Sequence, residues 1–199
     1  VDDVENILDR MARKFPKVKA LKRPSNRPFA GITTHDPDGN IFDLSHADKN
    51  NKKDVYTDGE WTQDRQITHF AIRTLNPEKC AEFYCDILGL NMGNREEDDE
   101  NYYVSDGHMT VVLAPWDITK YANTGISRSG PDHFVFKVES IEKFKKSYTS
   151  MVERNQNLTP PGVGVGPEGK ARLEMLTQSA PYAKHFLSDL DNVFLGVTD

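Results

Sequence analysis

Two histidines occupy equivalent positions in two copies of the same short pattern. His69 lies in the segment THFAI and His133 lies in the segment DHFVF. Neutral imidazoles bind transition metals such as Fe(II), Mn, Ni and Zn, and they also serve as hydrogen-bonding groups in pockets. The paired histidines therefore indicate either a shared metal site or a pocket in which both rings only hydrogen-bond.

The element that carries His69 is a short apolar strand, predicted over residues 67–74, which leads into an amphipathic helix over residues 78–88. Pro77 suits the first helical position, and Gly89 suits a left-handed helix end. Three further strands are predicted, over residues 91–96, 101–105 and 109–115. This repeat therefore has the order β-α-β-β-β.

The same pattern returns in residues 131–199. Its predicted elements are a strand over residues 132–138, a helix over residues 141–154 capped by Ser140, a loop over residues 155–170, and strands over residues 171–177 and 185–186. Arg172 and Glu174 alternate with apolar neighbours, which predicts that they share one face of a strand. That face would be solvated by default, or would form an ion pair or contact a substrate.

A third copy opens the chain. The first residues, VDDVENI, align with VESIEKF at residues 138–144, so Val1 is expected to be the last residue of a strand whose remainder is absent. The endings DPDGNIFDL at residues 36–44 and DLDNVFLGV at residues 189–197 also match. We predict that residues 1–45 are the C-terminal part of a module, that residues 46–65 are a linker, and that residues 66–116 and 131–199 are paired modules.

Length and composition limit what the repeats can mean. The chain has 199 residues, of which 37% are hydrophobic, so it can bury a core and is not expected to be disordered. A net charge of −6 provides no basic patch and argues against nucleic acid as a partner. No apolar run approaches the roughly 20 residues of a membrane span. These properties predict a soluble, cytoplasmic globular protein.

The motifs together resemble the vicinal oxygen chelate superfamily of glyoxalase I, bleomycin-resistance proteins and extradiol ring-cleaving dioxygenases. The features that carry this resemblance are THFAI at residues 68–72, FYCDILGL at residues 83–90, DHF at residues 132–134 and DPDGNIFDL at residues 36–44. They span nearly the whole chain apart from the linker. The resemblance implies an α+β fold, in which paired β-α-β-β-β modules form a cleft between curved mixed sheets.

The superfamily holds a divalent metal in that cleft with residues of first and last strands. By resemblance, His69 and His133 take the first-strand ligand positions for Fe(II), Mn, Ni or Zn, and the metal would act as a Lewis acid on a chelating substrate. The sequence departs from the family at Gly196, where the late copy should carry Glu or Asp. A two-histidine site binds metal weakly, so a cleft without metal is an equal expectation.

Asp43 is the one acid at a last-strand position of the family pattern, but it belongs to the first copy. It is therefore either a metal ligand, at a second site whose other ligands are not in this chain, or a solvent-facing strand residue.

Tyr103 and His185 are candidates for catalysis. Because Tyr102 and Tyr103 alternate on a predicted strand, one of them should face the cleft, where a phenol could hydrogen-bond a substrate oxygen or pack in the core. His185 lies on a late strand that could direct it into the cleft as an acid or base.

Three functional hypotheses follow from the resemblance. The first is a metal-dependent dioxygenase or lyase that acts on a small catechol or hydroxycarbonyl. The second is a metal-free protein of the bleomycin-resistance type that binds a small molecule. The third is a structural half whose chemistry belongs to another part of the protein. The matched histidines favour the first and Gly196 favours the second. A homodimer is also expected, because a partial module needs a partner to cover its sheet edge.

Overall fold

The computed structural model of the chain describes residues 1, 3–22, 31–45, 64–155, 166–191 and 193–199. The elements in chain order are α1 (Val4–Lys14), β1 (Leu21–Lys22), β2 (Ile32–His35), β3 (Ile41–Leu44), β4 (Gln66–Thr74), α2 (Pro77–Leu88), β5 (Asn91–Met92), β6 (Tyr102–Ser105), β7 (Thr110–Pro115), α3 (Ile118–Tyr121), β8 (Gly130–Lys137), α4 (Ile141–Arg154), α5 (Gly166–Ser179), β9 (His185–Ser188) and β10 (Phe194–Thr198).

Both modules contribute to one seven-stranded mixed sheet with the order β5-β6-β7-β4-β8-β10-β9. The first strands of the two modules, β4 and β8, pair antiparallel at its centre. Each first strand pairs in parallel with the last strand of its own module, which is β7 for β4 and β10 for β8. The parallel pairs β4–β7 and β8–β10 are thus equivalent on either side of the centre, although the first half has four strands and the second half has three among the described residues. The predicted α+β fold with a mixed sheet is confirmed.

Helix α2 begins and ends where local chemistry predicts. Pro77 occupies the first turn, and Gly89 ends the helix in the left-handed conformation at φ 73°. The buried side of α2 includes Phe83 and Ile87, which have no exposed surface. They pack with sheet residues such as Leu113 in one apolar core. This core fixes the position of β4 from the side of the sheet that faces α2.

The N-terminal residues form a separate three-stranded sheet, β1-β2-β3, preceded by α1. Ile7 and Met11 of α1 are buried in the same core as α2. The β2–β3 turn also reaches α2, because the carboxylate of Asp38 accepts hydrogen bonds from the backbone N–H groups of Leu75 at 2.6 Å and Asn76 at 2.9 Å. The positive N-terminal end of the helix dipole stabilises the negative charge of an acid at this position.

The two repeated endings fold into the same turn. Asp36 Oδ1 accepts hydrogen bonds from the N–H groups of Asp38 and Asn40, at 3.0 and 2.9 Å. Asp189 Oδ1 accepts equivalent bonds from Asp191 at 2.9 Å and Val193 at 2.8 Å. An aspartate that bonds the backbone ahead of it nucleates such a turn, so the two matched segments form equivalent turns.

The strand predicted over residues 171–177 is wrong, because these residues belong to helix α5. One helical face of this segment carries Leu173, Leu176 and Ala180, which pack in one apolar cluster. This packing stabilises a helix, whereas the alternation around Arg172 had predicted a strand. Helix α5 packs on Phe186 and Phe194 of the late strands. The late module is therefore completed by a helix and two strands within the described residues.

Other boundaries differ from prediction by several residues. Strand β5 spans only Asn91–Met92, and residues 166–170 begin α5 where a loop was predicted. The predicted linker lies outside the described residues except for Asp64 and Arg65. Within the part of the chain that the structure describes, no helix has the length and apolar composition needed to cross a membrane.

Candidate functional site

His69 and His133 lie on the same face of the seven-stranded sheet, which we call the histidine face. His69 is opposite Val135 in the β4–β8 ladder, and Ala71 is opposite His133. Side chains that are opposite or two residues apart project to the same side of a sheet. The two histidines are therefore neighbours across the central strand pair, as the matched sequence copies predicted.

A β-bulge precedes each histidine. The β4–β8 register shifts between Ile67 and His69, which makes Thr68 the extra residue of β4. It shifts again between Ala71 and Ile72, whose partners are His133 and Pro131, which makes Asp132 the extra residue of β8. Each bulge places the side chain of its extra residue beside the ring that follows it.

The bulge residues hold the two imidazoles in the same way. Nδ1 of His69 lies 2.9 Å from Oγ1 of Thr68, and Nδ1 of His133 lies 3.0 Å from Oδ2 of Asp132. The Thr68 hydroxyl donates to the carbonyl of Val135 at 3.2 Å, so its oxygen accepts from His69. In the neutral form of each ring the hydrogen-bond network thus assigns the proton to Nδ1 and leaves Nε2 as an acceptor.

Tyr182 packs on both histidines. Its ring stacks at 5.5 Å from the His69 ring and at 5.8 Å from the His133 ring, with interplanar angles of 27° and 13°. Tyr103 meets Tyr182 edge to face at 6.2 Å. Burial lowers the pKa of His69, and the neighbouring His133 lowers it further. The histidine face therefore carries a packed aromatic cluster.

A buried ionic network surrounds Asp132. Its Oδ2 accepts hydrogen bonds from Arg73 Nε at 2.9 Å and from His133, and its Oδ1 accepts one from Arg172 Nη2 at 2.6 Å. Burial by itself would raise the pKa of Asp132, but the bond from His133 and the charge of Arg73 outweigh it, so the pKa is held well below its ordinary value. The carboxylate thus stays ionised inside the protein.

This network retains hydrogen-bonding capacity. Six buried side-chain nitrogen or oxygen atoms have no hydrogen-bond partner among the described residues, and four of them lie in this network or the aromatic cluster: Arg73 Nη2, Arg172 Nε, His133 Nε2 and Tyr182 OH. Buried polar atoms are normally satisfied by protein, water or a ligand, so this concentration marks the network as the candidate binding region.

The donor set at the histidines does not fit a resident metal within the described residues, where no group of three His, Cys, Asp or Glu side chains could hold an ion. The position at which the family places its acid is closed. A Cβ atom on Gly196 would lie 2.9 Å from Val135 Cγ2 and 3.0 Å from the Cβ of Ala183. Two imidazole acceptors therefore remain without the third ligand that a stable site needs.

A cavity of about 740 Å³ opens beside the ionic network. It lies between α5, the loop that precedes β6, and the segment around α3. Arg73 and Tyr121 contribute to its lining, and the Tyr121 hydroxyl accepts a hydrogen bond from Arg73 Nη1 at 2.7 Å. The volume is in the range of small-molecule sites.

The structure brings Tyr103 to this region. The Tyr103 hydroxyl donates to Asp99 Oδ2 at 2.5 Å, and Asp99 lines the cavity. Burial, with Asp99 adding to it, raises the pKa of Tyr103. Tyr103 also lies on the histidine face, because it is opposite Val112, which is opposite Ala71.

His185 and Asp43 are not brought to the histidines. The ring of Phe186 meets the ring of His133 edge to face at 5.8 Å, so Phe186 lies on the histidine face. His185 is the preceding residue of the same strand, so its side chain projects from the opposite face of the sheet. Burial lowers the pKa of His185, and the charge of Lys145 in α4 lowers it further. Asp43 lies in the three-stranded sheet, where it accepts a hydrogen bond from the Thr33 hydroxyl at 2.5 Å.

Sequence reasoning missed the residues that surround the histidines. Arg73 and Asp132 belong to predicted strands, but nothing in the alternation marks them as an ion pair. Arg172 was expected on a strand, with an ion pair as one alternative, and it pairs with Asp132 from helix α5. Tyr182 follows Pro181 in a connection, and no local signal places its ring on the histidines.

Comparisons with known proteins concern the family and the fold of the chain. The family model described as the Glyoxalase/Bleomycin resistance protein/Dioxygenase superfamily matches residues 66–174. No curated protein matches the chain.

Three solved structures share the fold. A Mn(II)-bound glyoxalase from Novosphingobium aromaticivorans has a TM-score of 0.59 at 14% identity, over 98% of this chain and 59% of that one. A 2,2',3-trihydroxybiphenyl 1,2-dioxygenase from Sphingomonas wittichii strain RW1 has a TM-score of 0.55 at 15% identity, over 100% of this chain and 68% of that one. A mutant 4-hydroxymandelate synthase from Streptomyces coelicolor has a TM-score of 0.52 at 17% identity, over 99% of this chain and 66% of that one.

These identities are low enough that the likeness concerns the fold alone. The chain spans 59% of the length of the glyoxalase. The family model, in contrast, covers more than half of the 199 residues. The chain belongs to the Glyoxalase/Bleomycin resistance protein/Dioxygenase superfamily.

Proposed function

We propose that the paired modules bind a small organic molecule in the cavity beside Arg73, and that this binding needs no resident metal. The observation that carries the proposal is the packing around Gly196. Val135 and Ala183 occupy the space into which an acid side chain at that position would extend. A protein of this superfamily without the carboxylate ligand corresponds to the bleomycin-resistance type of function, which is binding without metal chemistry.

The cavity supports this proposal. Arg73 supplies a charged group at its wall, and Pro115, Met175 and Pro181 supply apolar surface. A mixture of apolar walls and a few convergent polar groups is typical of small-molecule sites. Tyr103 would act at its edge as a hydrogen-bonding group held by Asp99, which is one of the two roles that the sequence left open for it.

The first test is metal content per chain, measured by elemental analysis of protein purified without chelator or affinity tag. The proposal predicts no stoichiometric metal in the parent protein or in a variant with His69→Ala and His133→Ala. Near-stoichiometric iron, manganese, nickel or zinc that disappears in the double variant would overturn it.

The second test is ligand binding by the chain after treatment with chelator. Ligand-observed NMR with a library of small aromatic molecules should find ligands whose binding does not change with chelator. Ala171→Trp, which fills the cavity wall on α5, should abolish this binding. Thr177→Trp is the matched control, because Thr177 is an exposed residue of the same helix outside the cavity lining. If the two variants changed ligand binding equally, the ligand would not be bound in this cavity.

A second candidate function is metal-dependent chemistry on a small catechol or hydroxycarbonyl. The specific observation in its favour is the assignment of Nδ1 protons on both His69 and His133, which leaves two Nε2 acceptors of the kind that divalent metals bind. Its remaining ligands would come from outside the described residues or from substrate. Titration of Mn²⁺ into the parent protein, followed by electron paramagnetic resonance, should show tight binding only if this second function holds.

We also propose that the chain forms a homodimer. The seven-stranded sheet ends in β5 and β9, whose outer edges have no strand partner among the described residues. Light scattering coupled to size-exclusion chromatography should give twice the mass of one chain, and the mass of a single chain would contradict the proposal.

A further inference from the structure

The charges of the cavity differ between its inner wall and its mouth. Arg73 lies on the inner wall and is 1% exposed, and its Nη2 has no hydrogen-bond partner among the described residues. Two guanidinium groups, Arg73 and Arg172, share the single carboxylate of Asp132. These three side chains therefore have a net positive charge. A buried charge is costly until a counter-charge and hydrogen bonds satisfy it.

The mouth of the cavity is acidic. Glu96 and Asp98 of the loop before β6 and Glu174 of α5 line it with exposed side chains. None of these three forms an ion pair with another described residue. The remaining mouth acids are engaged, since Glu100 pairs with Lys120 at 2.7 Å and Asp99 accepts from Tyr103. The potential therefore changes from negative at the mouth to positive at the inner wall.

We infer that the cavity binds an amphoteric small molecule, whose anionic group pairs with Arg73 and whose cationic group lies among Glu96, Asp98 and Glu174 at the mouth. The apolar wall, to which Pro115, Ala122 and Met175 contribute, suits the hydrocarbon part that separates the two charges. A carboxylate is an anionic group that a guanidinium binds well. Nη2 is the nitrogen of Arg73 that remains for it, because Nε donates to Asp132 and Nη1 donates to Tyr121. This inference rests on the proposed function, because it names the ligand class of the same cavity.

Three shape-matched probes test the inference with the chelator-treated parent chain. The first is 4-(aminomethyl)benzoate, which has both charges. The second is 4-ethylbenzoate, which lacks the ammonium, and the third is 4-isopropylbenzylamine, which lacks the carboxylate. Isothermal titration should give a Kd for the amphoteric probe that is about tenfold lower than for either analogue, since each charge-assisted contact contributes on this scale.

Variants separate the two ends of the cavity. Arg73→Met removes the guanidinium that lines the cavity and leaves the Arg172–Asp132 pair, so the network loses its net positive charge. This variant should abolish the advantage of the amphoteric probe over 4-isopropylbenzylamine. Asp98→Asn combined with Glu174→Gln changes only exposed side chains, so the fold is retained. This pair should weaken the amphoteric probe by a few-fold, and it should leave 4-ethylbenzoate unaffected or bound more tightly. Glu97→Gln is the control, because Glu97 is an exposed acid of the same loop outside the cavity lining.

The outcomes distinguish this inference from the proposed function. Binding of all three probes with equal affinity, lost in Ala171→Trp, would overturn the amphoteric ligand and leave the cavity as a small-molecule site. Binding of none of the probes or library molecules would overturn both. A preference for the amphoteric probe that survives both charge variants would show that the discrimination arises elsewhere, and it would overturn the assigned residues.

Discussion

The guanidinium of Arg73 donates to the carboxylate of Asp132 across 2.9 Å, in an ion pair whose side chains are 1% and 2% exposed. The pair joins the first strands of the two modules at the centre of the sheet, and Arg172 joins helix α5 to the same carboxylate. Removal of one member of a buried ion pair is costly because the remaining charge stays desolvated.

Asp132→Asn should therefore lower the free energy of unfolding by about 3–5 kcal/mol. Urea denaturation followed by circular dichroism measures this loss. Glu139→Gln, which breaks the exposed pair between Glu139 and Arg65, is the matched control and should cause a much smaller loss. Equal losses in the two variants would show that burial of the Arg73–Asp132 pair contributes nothing.

Acid should destabilise the parent protein more steeply than the Asp132→Asn variant. The pKa of Asp132 is lower in the folded chain than in the unfolded chain, so the unfolded state takes up the proton first as the pH falls. The stability from this group is complete above the unfolded pKa of about 3.9 and is lost as the pH falls towards the folded pKa. Urea midpoints measured at several pH values should fall more steeply below about pH 4 in the parent. Parallel pH profiles would contradict the assignment.

Gly196→Ala should destabilise the protein by about 1–3 kcal/mol, the typical cost of overpacking a core. The reason is steric, because the new Cβ would lie 2.9 Å from Val135 Cγ2. Val135→Ala removes that atom, so the double variant should be more stable than the sum of the single effects predicts. Thermal unfolding of the four proteins measures this coupling, and strict additivity would show that position 196 has room for a side chain.

Tyr182→Ala should raise the pKa of His69 towards its ordinary value of about 6.5. The pKa is lowered first by burial and second by His133, and the Tyr182 ring covers His69 at 5.5 Å. Titration of the His69 ring protons by NMR measures the change. Tyr182→Phe keeps the ring and should leave the pKa unchanged. It should not destabilise the fold, since the Tyr182 hydroxyl has no partner among the described residues. An unchanged pKa in Tyr182→Ala would assign the burial of His69 to other groups.

Much of the scaffold was determined by the sequence alone, because the signals involved are local. The period of apolar residues, Pro77 at a helix start and the left-handed Gly89 define α2 through contacts within a few residues. The aspartate turns at Asp36 and Asp189 form by bonds to the backbone that follows each of them. The matched segments around His69 and His133 predicted equivalent strands, and those strands pair at the centre of the sheet.

The site around the histidines was decided by the tertiary structure. Strict alternation would direct Asp132 and His133 to opposite faces, but the bulge at Asp132 brings its carboxylate to the His133 ring. Residues 171–177 have a pattern that suits both a strand and a helix, and packing of Leu176 on the late strands selects the helix that delivers Arg172. Tyr182 reaches the histidines only after α5 and β9 are in place. These contacts join residues far apart in the chain, and local sequence patterns do not encode the distance between such residues once the chain has folded.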